Sequence, residues 1–257
     1  QAQAHGGKEE REGTGAATAA SLRERATRLR NLTIGDDEGF FLLAACGVSR
    51  PVHRLCELMV EAMEGARQAA KKDKLTSARQ LIMLTRQIAQ LFVLLRVPAR
   101  EAALRRDPRV AALFFSECSL IAHHLTSLPY SCLKSPELLE RFGSFADSVL
   151  QIRRLQESHF CEAVVHMKDR ILSPLESPPL EFSSIASDSA FSRTEARLAE
   201  ATGHLQDVST AVTRVLPIRV HLEVLGFLAD AALLVVEDAV FALAEGQAGG
   251  AGGRNEE

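Results

Sequence analysis

Past residue 20, apolar positions recur three and four residues apart along almost the whole chain, the period of helices with one buried face. After Pro51, the positions Val52, Leu55, Leu58/Met59, Ala62/Met63, Ala66 and Ala69/Ala70 trace one stripe. Pro51 suits the first helical position and Ser49 the cap. Lys71, Lys72 and Lys74 suit the negative end of the helix dipole. A second helix is predicted over 76–97, with Leu81, Leu84, Ile88, Leu91/Phe92 and Leu95 as its stripe and Pro98 as its stop. Asp107-Pro108 opens a third, its stripe being Val110, Leu113/Phe114, Ile121 and Leu125, and Pro129 ends it. Ser135-Pro136-Glu137 opens a fourth that runs to about residue 172, interrupted at Gly143. Its stripe is Leu138/Leu139, Phe142, Phe145/Ala146, Val149, Ile152, Leu155, His159 and Val164.

Residues 173–190 are rich in Pro and Ser and read as a loop. A helix over 191–215 follows, then the break Val215-Leu216-Pro217-Ile218, then a long helix to about 245. Within 222–244, Glu223, Asp230 and Glu237 lie seven apart and share a face, and Asp238 adds a fourth acid. That is too much charge for a bilayer core. Leu222, Leu225, Ala229, Ala232/Leu233, Val236 and Val240 are expected to face the core opposite them. Strand alternation never outlasts a few residues, and no internal repeat occurs. The fold class is all-α: an elongated antiparallel helical bundle or helical rod. Its expected divisions are a disordered tail 1–20, a helical bundle 21–172, a loop 173–190, a long helical hairpin 191–245 and a disordered Gly-rich tail 246–257.

Composition narrows the functional classes. Lys and Arg total 30 against 33 Asp and Glu, a net charge of −3, which argues against a nucleic-acid binder. With 12 Phe, 1 Tyr and no Trp, a base-stacking surface is not expected either. Arg23, Arg25, Arg28 and Arg30 fall in a short basic helix over 21–34, read as a solvated face, ahead of a turn at Ile34-Gly-Asp-Asp-Glu-Gly. The chain opens on Gln1 with no apolar signal region, which suggests a piece of something longer. Five cysteines, at 46, 56, 118, 132 and 161, include no C-x-x-C pair and read as reduced, core-filling thiols.

Chemistry has one tempting locus, Glu117-Cys118 followed by His123-His124. Cys118 and His123 diverge by about 140° around a helix, so they do not converge on a metal. A closed site would need His159, Cys161 or His166 from another helix. The plainer role for His123 or His124 is packing between helices, fixing their register. Glu162/His166 and Glu200/His204 lie four apart, not the three of a di-iron bundle. Asp36-Asp37-Glu38 falls in a turn with no partner acids, and no phosphate loop, dinucleotide loop or nucleophile elbow occurs. No enzyme and no cofactor are expected.

Three segments, in order, resemble the zeste-white ten family. Phe115-Ser-Glu-Cys-Ser-Leu-Ile-Ala-His-His-Leu-Thr-Ser-Leu resembles its Ile-Ala-His-His-Leu helix. Arg153-Arg154-Leu155, with Phe160-Cys161 and Met167 behind it, is similar to its Arg-Arg-Leu helix. Val215-Leu216-Pro217-Ile218, followed by Leu225-Gly226-Phe227-Leu228, is similar to its Val-Leu-Pro break. The resemblance spans roughly 107–245 and extends less closely over 51–106. It implies a middle-to-late segment of a helical rod acting as a non-enzymatic scaffold. The family works in Golgi-to-ER vesicle tethering and in a kinetochore complex with Rod and Zwilch. Partners would be tethering or Rod/Zwilch-type subunits, with ER syntaxin-type fusion proteins reached indirectly. The place would be cytoplasmic, peripheral at the ER, and the kinetochore in mitosis. The family's N-terminal coiled-coil pairing region is not expected within these residues.

Two other readings stay open on the residues alone. One is an unrelated cytosolic helical-bundle adaptor. The other is a metal enzyme using Cys118, His123, His159 and His166. Partner-binding residues are not assigned. Arg105, Arg106 and Arg109 and the acids Glu223, Asp230 and Glu237 are the exposed candidates, and ordinary solvation accounts for both groups.

Overall fold

The computed structural model describes residues 47–133, 143–177, 180 and 188–250. Among them are seven helices and no strand: α1 (Arg50–Lys71), α2 (Leu75–Arg96), α3 (Glu101–Arg106), α4 (Pro108–Cys132), α5 (Ala146–Glu176), α6 (Asp188–Val212) and α7 (Ile218–Gly250). The protein is all-α, as its apolar period predicts. The 33 residues of α7 alone span roughly 50 Å. The expected tail 1–20, the basic helix 21–34, the turn at Asp36-Asp37-Glu38, the Ser135-Pro136 opening and residues 251–257 of the expected tail 246–257 lie outside the described residues, while residues 246–250 of that tail continue α7.

Local signals account for most boundaries. Pro51 sits in the first turn of α1. Asp107 caps α4, its carboxylate accepting from the N–H groups of Arg109 at 2.9 Å and Val110 at 3.4 Å. The α1–α2 turn closes through Asp73, which takes a left-handed φ of 61°, while the Lys74 N–H donates to the Ala69 carbonyl at 3.0 Å. Arg214, at φ 63°, does the same work between α6 and α7. The expected cap at Ser49 is not made; its hydroxyl accepts instead from Arg96 at 2.9 Å.

Three boundaries differ from expectation. The short α3 stands between Pro98 and Asp107, held by Leu104, which is fully buried. Helix α4 runs through Pro129 to Cys132. Helix α5 runs through Pro174 to Glu176, beyond the residue-173 loop start. A proline in the last turn forfeits only one helical hydrogen bond, and packing outweighs that. Leu175 is buried, and Arg197 of α6 donates to the Pro174 carbonyl at 2.6 Å and to the Leu175 carbonyl at 3.2 Å. A cation thus satisfies the carbonyls that every helix leaves open at its C-terminus.

Helices α4 and α5 form an antiparallel central pair. The α1–α2 hairpin covers one flank and the α6–α7 hairpin the other. On the first flank Met59, Met63, Ile82 and Phe92 pack with Phe114, Cys118, Ile121 and Leu125 of α4. On the second, Ala111, Ala112 and Phe115 of α4 meet Phe160, Val164, Met167 and Ile171 of α5 and Val208, Val212, Val224 and Leu228 of the second hairpin. Each Val, Leu, Ile, Phe or Met among them contributes about 1.5–3 kcal/mol on full burial.

Two stripes are rotated from their expected positions. On α2 the core face is Ala78, Ile82, Thr85, Ile88, Ala89 and Phe92, while Leu84, Leu91 and Leu95 are exposed. Close approach to α1 selects the smaller residues. Gly65 of α1 shows how close: a Cβ there would lie 3.2 Å from Leu81 Cδ1. On α7 the core face is Val220, Val224, Leu228 and Ala231, while Leu222, Leu233 and Val240 are exposed. Helix α7 is apolar on two faces, and periodicity alone does not say which one is covered.

Arg197→Ala should strip the donors from the end of α5. It is expected to cost about 1.5–3 kcal/mol, measured as a lowered urea midpoint with an unchanged slope.

Candidate interaction site

The three resembling segments meet in space. Phe115 of α4 packs on Phe160 of α5, ring centroids 4.7 Å apart. One residue earlier, Phe114 stacks on Phe92 of α2 at 6.1 Å and receives the edge of His159 at 5.8 Å. Gln156, next to Arg153-Arg154-Leu155, is buried and donates to the Phe115 carbonyl at 3.1 Å and to the Ser119 hydroxyl. The buried Ser116 hydroxyl donates to the Val215 carbonyl at 2.6 Å, tying α4 to the Val-Leu-Pro break. The Gly47 N–H donates to the neighbouring Arg214 carbonyl at 3.1 Å.

Glu117 is fully buried, and Arg96 is its counter-ion. The guanidinium binds both carboxylate oxygens, Nε at 2.9 Å from Oε2, and reaches Ser49 as well. A carboxylate with no water needs such a partner. Burial holds the adjacent Cys118 thiol well above its ordinary range, with the Glu117 charge adding to the effect. Burial pushes Cys56 up to about 12. Cys56, Cys118, Cys132 and Cys161 are free, and the first three are buried; Cys46 lies outside the described residues.

The residues considered for a metal do not assemble. Cys118 is in the first core, His159 lies against Phe114, and His166 is exposed on α5. Among the described residues, no three His, Cys, Asp or Glu side chains form a group able to hold a metal ion. His123 and His124 are both half-buried at the edge of α4, ring centroids 5.8 Å apart. Burial lowers the pKa of each, and His123 and His53 lower that of His124 further. The His159 ring is lodged between helices, its edge on Phe114.

What the fold leaves outward is apolar surface. On α7, Ile218, Leu222, Leu233 and Val240 share a face and are each about half exposed or more, and Phe241 lies beside them. Gly226 is on the same face, and a Cβ there would meet nothing within 4 Å. Glu223 and Glu237 are exposed along one border of this stripe, with Asp230 partly buried between them. Met83, Leu84, Leu91, Leu94 and Leu95 make a second outward surface on α2. No described helix is long and apolar enough to cross a membrane. The three candidate arginines divide. Arg105 pairs with Glu101 and Glu162, both at 3.1 Å, Arg106 is exposed beside it, and Arg109 is exposed at the start of α4.

Residues 41–173, more than half of the chain, match the family described as centromere/kinetochore protein zw10, C-terminal. The chain belongs to the zw10 family. Two curated relatives are the centromere/kinetochore protein zw10 homologs of Mus musculus and Rattus norvegicus. Each is 25% identical to this chain, over 209 and 194 residues, or 80% and 75% of it. Those stretches are 26% and 24% of the relatives, so the chain spans about a quarter of their length. The zw10 match ends at Ser173, inside the last turn of α5, and so takes in the first core and the central helix pair.

Of the residues at this centre, the zw10 pattern in the sequence already contains Ser116, Glu117, Cys118 and Ser119. Their partners Arg96 and Gln156 were not foreseen. One signal was available: Glu117 sits inside an apolar run, and a buried carboxylate demands a cation at the end of some neighbouring helix.

Arg96→Met leaves Glu117 buried without its partner and is expected to cost about 3–5 kcal/mol, whereas Arg96→Met with Glu117→Leu should recover most of that loss. Chemical denaturation of the two variants measures both. The histidine pair gives a pH prediction. Because the folded state holds His123 and His124 below their ordinary pKa, the unfolded chain binds more protons. Stability should fall as pH drops below about 6.5. His124→Gln should flatten that slope in melting curves taken from neutral to mildly acid pH.

Proposed function

We propose that this chain is a scaffold segment that holds partner subunits by helix-to-helix contacts, with no catalytic role. The finer reading is action in Golgi-to-ER vesicle tethering, at the kinetochore, or in both. Its partners would then be tethering-complex subunits or Rod/Zwilch-type subunits, with ER syntaxin-type fusion proteins reached only through them. Its place would be cytoplasmic, peripheral at the ER membrane and at the kinetochore in mitosis. Family membership supports the scaffold reading, and the relatives' names speak for the kinetochore.

The observation that carries the reading is the outward face of α7. Leu222 and Leu233 are more than 60% exposed on a helix whose opposite face is in the core. Such a stripe, bordered by acids, suits a partner helix with an apolar seam and a basic edge. Gly226 fits the same use. Within a helix glycine costs about 0.5–1 kcal/mol relative to alanine, and nothing among the described residues needs its missing side chain. A partner helix could approach closely there. The described polar groups at the centre of the molecule are engaged in packing, which also speaks for a scaffold.

The test is recovery of purified Rod/Zwilch-type and tethering-complex subunits on the immobilised chain. The wild-type chain should retain one set or both, and Leu222→Asp with Leu233→Asp should reduce retention at least tenfold. Circular dichroism should show both proteins equally helical, because the substituted positions are exposed. Retention of neither set by the wild-type chain, or equal retention by the variant, would overturn the reading. The set recovered decides between the two cellular roles.

A further inference from the structure

A cleft of about 490 Å³ opens where α3, the start of α4, α5 and α6 come together. Every charged or ionisable side chain that lines it is basic: Arg105, Arg106, His166, Arg170 and His204. Its floor is apolar, with Met167, Ile171 and Val208 at most 5% exposed. We propose that this cleft binds a phosphate-rich anion of the inositol-phosphate class, either free or presented as a lipid headgroup.

Three nearby carboxylates face bases of the cleft itself, and a fourth caps a helix. Glu101 and Glu162 both hold Arg105. Asp107 caps α4. Glu200 stands 3.8 Å from His204 Nε2. Among the described residues, Arg106 and His166 make no hydrogen bond or ion pair, although each lines the cleft. Arg170 uses one N–H toward His204 Nδ1 at 3.3 Å and keeps its others. That contact makes Nδ1 the acceptor and places the proton of a neutral His204 on Nε2.

Guanidinium groups suit phosphate because their donors form a planar fork and their charge persists at any ordinary pH. Three of them around one opening favour an anion with several phosphates over a single carboxylate. The apolar floor raises the value of each contact by excluding water from one side. The volume falls within the usual range of small-molecule sites, about 300–1,000 Å³. A binding scaffold has no need to gather basic side chains over a dry floor for packing alone, so the cleft is a feature separate from the α7 face.

The test is calorimetric titration of the whole chain with inositol hexakisphosphate, at low and raised salt. One saturable site is expected, weakening as salt rises. Arg106→Ala and Arg170→Ala should each weaken it by about tenfold or more, the loss of one charge-assisted contact. Glu162→Gln should strengthen it severalfold by releasing Arg105. Arg109→Ala removes the same charge from the start of α4, outside the lining, and should change little. Absent binding, or equal losses from Arg109→Ala and Arg106→Ala with helicity intact, would overturn the proposal. Co-sedimentation with phosphatidylcholine vesicles separates the sources. Capture by vesicles carrying phosphatidylinositol bisphosphate, but not by phosphatidylserine vesicles of equal charge, assigns a lipid headgroup. Titration without vesicle capture assigns a soluble anion.

Discussion

The buried Glu117 carboxylate is the constraint around which the rest of the molecule is arranged. A charge without water must meet a counter-charge in good geometry, or it will not stay charged. Arg96 supplies it from the last turn of α2, and the same guanidinium reaches Ser49 at the entrance to α1. Both ends of the first hairpin are thereby set against one point on α4. Apolar packing would tolerate a slip of one turn far better than a bidentate ion pair does. Its stability worth against a hydrophobic replacement is small, so its consequence is register.

Helix α4 can serve as a hub because successive residues on a helix point about 100° apart. A helix covered on several sides needs consecutive residues suited to different neighbours. Ser116 meets the α6–α7 break, Glu117 meets α2, Cys118 enters the first core and Ser119 meets α5. Phe114 and Phe115 divide the two cores between them in the same way. That explains why this stretch mixes polar and apolar residues with no single face. It also explains why it resembles a metal or catalytic motif: Ser, Glu, Cys and His close together are residue types that do chemistry, here engaged in packing.

Legibility followed from how many faces an element buries. Helix α1 packs mainly one face, and its stripe was readable from Val52 to Ala66. The cap at Asp107 was readable because its chemistry is local. Helices α2 and α7 carry leucines on faces that stay outside, and their stripes were placed on the larger residues. The covered faces hold Ala78 and Ala89 on α2 and Ala231 on α7, which fit only because neighbouring backbones come close. Closeness is a property of the pair of helices, so neither sequence alone contains it. Pro129 reads as a stop and Pro174 as part of a loop, yet burial of the residues around them carries each helix onward by a few positions. Of the candidate surfaces, the basic pair Arg105-Arg106 was visible in sequence. Its company of His166, Arg170 and His204 was not, because four helices had to meet to bring them together.

The misread leucines are themselves informative. A helix that only had to pack within this chain could carry polar residues at Leu222, Leu233 and Val240 on α7, or at Leu84, Leu91 and Leu95 on α2, and gain solubility. Keeping them apolar leaves surface that water solvates poorly on both hairpins, on opposite sides of the central pair. Single exposed leucines are ordinary. Leucines in register along one face of a helix are the pattern that a second helix requires. The curated relatives are about three times as long as this chain, so those proteins hold much more chain than the stretch matched here. The centre of this fold fixes register through one ion pair, and its flanks present apolar seams.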